Sequence, residues 1–212
     1  MNINKLIKGN KRFRQIEFSK YKEDFKTLVE QGQKPSILFV GCSDSRVVPD
    51  LIVGSKPGDM FLLRNIGNFV PPYKEDQEYH GVTAVIEYAV SVLKVKDIII
   101  CGHSHCGACA SLYDDMTSKK LKHVKKWLEL GEKAKKHALK KLKNKSHNVT
   151  DNLLRTTEKI SVIHQLENLG TYPEVVRRVK KGKLNIHGWF YYIEDGTILV
   201  YDPQIKDYKK LQ

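Results

Sequence analysis

The hydrophobic pattern along this chain switches repeatedly between a period near 3.6 residues and short continuous apolar runs. Over residues 4–31 it predicts two amphipathic helices. Leu6, Ile7, Phe13 and Ile16 mark the first, Tyr21, Phe25, Leu28 and Val29 the second, and Gly32 and Pro35 end them. Ser36–Val40 is β-rich and mostly apolar, as a buried strand should be. A second strand is expected at Met60–Arg64, after the turn Lys56-Pro57-Gly58-Asp59. Pro71-Pro72 marks a loop. Val82, Val85, Ile86, Ala89, Val90 and Leu93 then share one helix face, Ile98–Cys101 reads as a third strand, and Gly107 opens another helix. Leu121, Val124, Leu128, Ala134, Ala138 and Leu142 give a thin apolar stripe to a lysine-rich helix over 119–145. Leu154, Ile160, Ile163, Leu166 and Leu169 give a stronger one over 151–169. Tyr172–Lys181 reads as a short helix closed by Gly182. Leu184–Ile193 and Thr197–Tyr201 flank Glu194-Asp195-Gly196, a hairpin turn signal.

Strands alternating with helices predict an α/β fold: a mainly parallel central sheet flanked by helices, with an N-terminal helical arm. The length of 212 residues suits a single domain over 1–212, divided into an arm (1–34) and an α/β core (35–212). The longest apolar runs, such as Ile98–Cys101, fall far short of the roughly 20 residues a membrane helix needs. No signal-type apolar core follows Met1. A soluble, cytoplasmic protein without a membrane partner is the expectation.

The net charge of +13 is local. Residues 119–147 hold twelve lysines and two glutamates, a net +10, and the remainder is nearly balanced. A solvated basic helix accounts for this better than a nucleic-acid-binding zinc protein. Only Trp127 interleaves the lysines, and no compact four-ligand finger spacing occurs.

The candidate chemistry lies in two short motifs, each expected just past the C-terminal end of a strand, where open α/β sheets place their sites. Cys42-Ser43-Asp44-Ser45-Arg46 follows the first strand; His103-Ser104-His105-Cys106 follows the third. The four cysteines, Cys42, Cys101, Cys106 and Cys109, do not form a disulfide-framework pattern. Cys101 reads as strand core and Cys109 as packing one helical turn beyond Cys106. Two thiolates and one imidazole, from Cys42, His103 and Cys106, suit a Zn2+ ion with a reactive fourth position. His105 competes from the same loop, but its adjacency to Cys106 makes shared coordination awkward. Cys106 is expected near a helix N-terminus, where its thiol pKa would be lowered. Gly102 and Gly107 would let the backbone turn closely around the ion. Asp44 and Arg46 are two apart, and the guanidinium fork would keep the carboxylate ionised and aimed.

Cys42-x-Asp44-x-Arg46 with His103-x-x-Cys106 resembles the β-class carbonic anhydrases. Gln33, Arg64-Asn65-Ile66-Gly67-Asn68, Pro71-Pro72, Glu87-Tyr88-Ala89-Val90, Gly102-His103-Ser104 and His187-Gly188-Trp189 extend the likeness over residues 5–195. The resemblance implies a four-stranded parallel core sheet and an arm that clasps a partner subunit in a homodimer or dimer of dimers. It implies one zinc per subunit on Cys42, His103 and Cys106. It implies that Asp44 and Arg46 orient zinc-bound hydroxide toward CO2 to form bicarbonate and a proton, or that Asp44, freed from Arg46, becomes the fourth ligand. Gln33, Phe61, Ile66, Tyr88 and Gly102 correspond to substrate-binding positions, with a pocket like that of the plant-like subgroup. Another subgroup carries a tryptophan three residues before the first zinc cysteine, in a regulatory bicarbonate site to which Arg64 and Tyr191 also correspond. Here that position is Phe39, so no such inhibition is expected. Because two thiolates neutralise the charge of Zn2+, activity is expected to rise from pH 7 toward pH 9. His80 and His105 are the candidate proton shuttles. Relatives of the same fold that hydrolyse carbon disulfide or carbonyl sulfide share the metal motif and form the rival reading.

Overall fold

The computed structural model describes residues 2–76, 78–114, 120–143 and 149–211. The arm contains both expected helices, α1 (Ile3–Arg12) and α2 (Lys22–Gln31). They are joined without a loop, through a wide π-helical turn at Phe13–Glu17 and a tight 3-10 turn at Phe18–Tyr21. Asn2 caps α1 by accepting from the Lys5 amide at 3.1 Å. The arm has almost no core of its own. No residue of α1 is buried, and Ile3 and Leu6 stay 67 % and 52 % exposed. Gly32, at φ +75°, ends α2.

The core sheet has the order β2-β1-β3-β4-β5-β6. β1 (Ile37–Cys42), β2 (Met60–Asn65), β3 (Asp97–His103) and β4 (Asn185–Tyr191) are parallel. β5 (Ile198–Asp202) returns antiparallel through the expected hairpin, and β6 (Asp207–Lys210) adds a further antiparallel strand. The sequence pattern does not predict β6, since Asp207-Tyr208-Lys209-Lys210 is short, charged and exposed except for half-buried Tyr208. β1 and β3 run further than expected. Cys42 and His103 are therefore the last residues of their strands, not the first beyond them. The chain leaves β1 for β2 on one side and returns to β3 on the other. The crevice between the C-terminal ends of β1 and β3 is thus the switch point of the sheet.

Helices α3 (Pro49–Val53) and α4 (Gly81–Glu87, continued by a π-helical turn at Tyr88–Leu93) lead to β3, and α5 (Gly107–Ser111) follows it. The lysine-rich segment is α6 (Lys122–Leu128), a 3-10 turn at Glu129–Gly131, and α7 (Glu132–Lys141); its expected ends at 119 and 145 lie outside the described residues. It is more than a solvated helix. Ala134 and Ala138 are fully buried with Leu153 and Ile160 of α8 (Asp151–Leu169), since small side chains let the two helices approach. The lysines keep the outer face.

α8 lies across β3 and β4. Its buried face differs from the expected stripe. Leu154, Ile163 and Leu166 are only half-buried, whereas Thr157, Glu158, Ser161 and Gln165 are buried with Leu153, Ile160, Val162 and Leu169. Three of the polar members, Thr157, Glu158 and Gln165, bond to segments around the crevice. Gln165 Oε1 accepts from the Val70 amide at 2.8 Å, and the Thr157 hydroxyl meets Tyr113 Oη at 2.6 Å. α9 (Pro173–Lys180) closes the predicted helix before Gly182, at φ +62°. The main core gathers Leu38, Val40, Ile86, Ile98, Ile100 and Leu184 between the sheet and these helices. Each such side chain contributes about 1.5–3 kcal/mol by leaving water.

Candidate metal centre and active site

Cys42 and His103 end adjacent strands at the switch point, and Cys106 caps α5 three residues after the end of β3. Their donor atoms lie within 4.8 Å of one another, and all three side chains are buried. The His103 ring is committed on one side, with Nδ1 donating to the Ser104 carbonyl at 2.8 Å. In the neutral ring that bond makes Nε2 the acceptor, and Nε2 is buried without a hydrogen-bond partner among the described residues. An orphaned imidazole nitrogen beside two buried sulfurs fits a thiophilic divalent cation. The thiols point the same way. Cys42 is pushed up to about 12, first by its hydrogen bond with Cys106 and then by burial. Cys106 is pushed well above the ordinary thiol range, first by Cys109 and also by burial. The Cys109 contact, with burial, outweighs the lowering expected from the N-terminus of the five-residue α5. A bound cation would draw both groups to the thiolate form.

Gly102 does not turn the backbone around the site. It sits inside β3, where a Cβ would stand 2.5 Å from Val162 Cγ2, so its missing side chain serves the close approach of α8. Gly107 opens α5 with free space around it. Gly67, at φ +77°, points its amide at Cys42 Sγ, 3.4 Å away. Cys101 is strand core and Cys109 is buried beside Cys106, as expected. His105 stays out of the donor cluster.

Asp44 and Arg46 form the expected fork. Arg46 Nε donates to Asp44 Oδ1 at 2.9 Å and Nη2 to Oδ2 at 2.7 Å; the Arg46 amide adds a bond to Oδ1 at 3.0 Å. The Arg46 side chain, above all, holds the Asp44 carboxyl well below the usual range. Asp44 stands outside the clustered donors.

Of the expected pocket residues, Phe61 and Tyr88 meet, with ring centroids 5.8 Å apart. Ile66 and Tyr88 are 44 % and 45 % exposed. Gln33 lies exposed between α2 and β1, with no hydrogen bond to the site among the described residues. His80 Nε2 lies 2.6 Å from Asp76 Oδ1, and His105 Nε2 lies 2.6 Å from Glu194 Oε1. Phe39 is fully buried and packs edge-on against Trp189.

Four residues support the site in roles that the sequence reading does not assign to them. Arg64 reaches back from β2 to the carbonyls of Cys42 at 3.0 Å and Asp44 at 2.8 Å, fixing the turn between ligand and fork. Glu158 of α8 accepts from the Cys106 amide at 2.9 Å, and burial pushes its pKa up to about 8. Trp127 Nε1 donates to the Ile66 carbonyl at 2.7 Å, tying the lysine-rich segment to the 3-10 turn Ile66–Asn68 that follows β2. Glu194 accepts from the Ser104 hydroxyl at 2.5 Å as well as from His105. A glutamate set into the buried face of a helix was the one available signal, at Glu158. Glu194 was hidden in a turn motif.

Comparison with known proteins places this architecture. A family profile described as carbonic anhydrase matches residues 37–198. A carbonic anhydrase of Synechocystis sp. is 41 % identical over 207 residues, covering 97 % of this chain and 73 % of the relative. One of Pseudomonas aeruginosa is 40 % identical over 195 residues, covering 91 % and 84 %. Among solved structures, the β-carbonic anhydrase CcaA superposes with a TM-score of 0.90 at 40 % identity, covering 99 % of this chain and 92 % of that one. A structure from a study of two tetrameric β-carbonic anhydrases of Sordaria macrospora gives 0.80 at 31 % identity, with 93 % and 95 % covered. The chain belongs to the β-class carbonic anhydrases.

Proposed function

We propose that this enzyme interconverts CO2 and bicarbonate at a zinc ion held by Cys42, His103 and Cys106, with Asp44 and Arg46 as its working polar pair. The observation that carries the metal is the orphaned His103 Nε2 beside two buried sulfurs. Bound there, zinc would supply the Lewis acidity that makes a water nucleophilic near neutral pH. The residues supply the rest. Asp44, kept ionised by Arg46, is acceptor-only and retains lone pairs beyond those the fork occupies. It would accept a hydrogen bond from the O–H of the attacking oxygen, so that a lone pair of that oxygen faces the CO2 carbon. Displaced from Arg46, the same carboxylate would be free to serve as a fourth ligand.

Phe61, Ile66 and Tyr88 form an apolar wall suited to a nonpolar gas, as in the plant-like subgroup. Gln33 donates to a CO2 oxygen as charge develops there. Gly102 acts beside this pocket through packing, by keeping α8 against β3. The exposed apolar positions of the arm and of Ile66 and Tyr88 support assembly as a homodimer or dimer of dimers, in which a second copy covers them. Residues 1–212 work as one domain, in a reducing compartment such as the cytoplasm, which suits four cysteines outside any disulfide. No helix among the described residues is long and apolar enough to cross a membrane.

The test is substrate choice on protein with measured zinc. CO2 hydration without sulfide release from carbon disulfide is expected. Sulfide release without CO2 hydration would move the assignment to the rival hydrolases. Hydration that persists in Cys106→Ser after zinc is lost would refute the site.

A further inference from the structure

We infer that Glu194 is a positioning residue for the Asp44–Arg46 pair, acting through the two residues that separate the metal ligands His103 and Cys106. The inference rests on the proposed reading of that pair. Ser104 and His105 occupy this short bridge, and His105 adopts φ +56°, a region that L-residues rarely adopt. Such a backbone persists only where neighbours hold it. The holding comes from the β4–β5 hairpin. The Ser104 amide donates to the Tyr191 carbonyl at 2.9 Å, and the Ile193 amide donates to the Ser104 hydroxyl at 2.9 Å. The Glu194 carboxylate then takes both side chains of the bridge: Ser104 Oγ at 2.5 Å and His105 Nε2 at 2.6 Å. A carboxylate is suited to this, since both groups facing it are donors.

The consequence lies on the other side of the bridge. With the His105 side chain held, its carbonyl accepts from Arg46 Nη2 at 2.9 Å. The same nitrogen donates to Asp44 Oδ2 at 2.7 Å. Arg46 is therefore fixed at two points, the Asp44 carboxylate and the His105 carbonyl, and Glu194 secures the second. Release of the bridge would leave the fork on one anchor and let Asp44 and Arg46 move together. The Glu194 side chain itself is 46 % exposed, so the core does not depend on it.

Glu194→Gln on the zinc-loaded full chain tests this. The amide keeps one acceptor oxygen for Ser104 Oγ but removes the charge, and its N–H groups force His105 either to lose the bond or to turn to the other tautomer, so the bridge loses its charged clamp. Expected are unchanged zinc per chain, a Tm within about 4 °C of wild type, an unchanged KM, and a kcat lower by about 5- to 50-fold. Asp195→Asn, which perturbs the same turn through the Asp195–Thr197 bond, should leave kcat unchanged. A kcat per bound zinc within twofold of wild type would overturn the inference. So would a loss that tracks zinc content or Tm, or an equal loss in Asp195→Asn. Wild-type protein that carries zinc yet does not hydrate CO2 would instead overturn the reading on which the inference rests.

Discussion

Replacing Gly102 with alanine should damage the site without touching a ligand. The new Cβ would stand 2.5 Å from Val162 Cγ2, about 1 Å inside ordinary carbon–carbon contact. Val162 is fully buried, and its other methyl already lies 3.1 Å from where a side chain on Gly188 would begin. Rotation offers little relief, so α8 must retreat from β3. Overpacking of this kind costs about 1–3 kcal/mol. The retreat also draws Glu158, one turn earlier on α8, away from the Cys106 amide. Urea unfolding of zinc-loaded protein at fixed concentration should show Gly102→Ala destabilised by about 2 kcal/mol, with zinc lost more readily to a competing chelator. Val162→Ala alone should cost about 2 kcal/mol as a cavity. The double variant should be better than the sum by about 1 kcal/mol or more. A Gly102→Ala midpoint indistinguishable from wild type, or strict additivity, would refute the packing argument.

Trp127→Phe keeps the ring against Phe69 but strands the Ile66 carbonyl; kcat/KM should fall about fivefold at full zinc occupancy, roughly 1 kcal/mol, and an unchanged value would detach Trp127 from the pocket wall. Zinc uptake at pH 7.5 should release about two protons, measured calorimetrically in buffers of differing ionisation enthalpy, because Cys42 and Cys106 are both held protonated without a cation. Release of fewer than one proton would contradict the thiolate assignment. Glu194 is held down at about 2, first by the Ser104 hydroxyl and then with help from His105. A depressed carboxyl adds stability above its unfolded value near 4.5 and loses it as pH falls toward 2. With half the side chain in water, about 1 kcal/mol is expected. Wild type should lose that increment between pH 4.5 and 2 relative to Glu194→Gln, and parallel stability curves would remove the effect.

The elements that positioned the site were legible because their signals were local. Ile37–Val40 and Ile98–Cys101 are continuous apolar runs, and a parallel strand buried on both faces requires them. The spacing of Cys42, Asp44 and Arg46 against His103 and Cys106 pointed to the cluster of three donors and to the Asp44–Arg46 ion pair. What escaped depends on partners distant in sequence. Glu158 looks like a break in the α8 stripe until the Cys106 amide is placed beside it, 52 residues away. Arg64 corresponds by resemblance to a bicarbonate-site position of another subgroup, and nothing in its motif shows that its guanidinium donates to the Cys42 and Asp44 carbonyls. Gly102 lies between two glycine roles that look alike in sequence, a turn around an ion and the close approach of a helix; only the position of Val162 separates them. The direction for Cys106 was not legible because it is set first by Cys109 and also by burial, which the helix N-terminus signal does not show.

The central claim is that Asp44, held by Arg46 beside a zinc site, performs CO2 hydration. Stopped-flow hydration by wild type and Asp44→Asn at matched, measured zinc, at pH 7 and pH 8.5, tests it most directly. The account predicts fast hydration by wild type, faster at pH 8.5, and a loss of about 100-fold or more in the variant. Equal rates in the two proteins, or no hydration by zinc-loaded wild type at either pH, would contradict it.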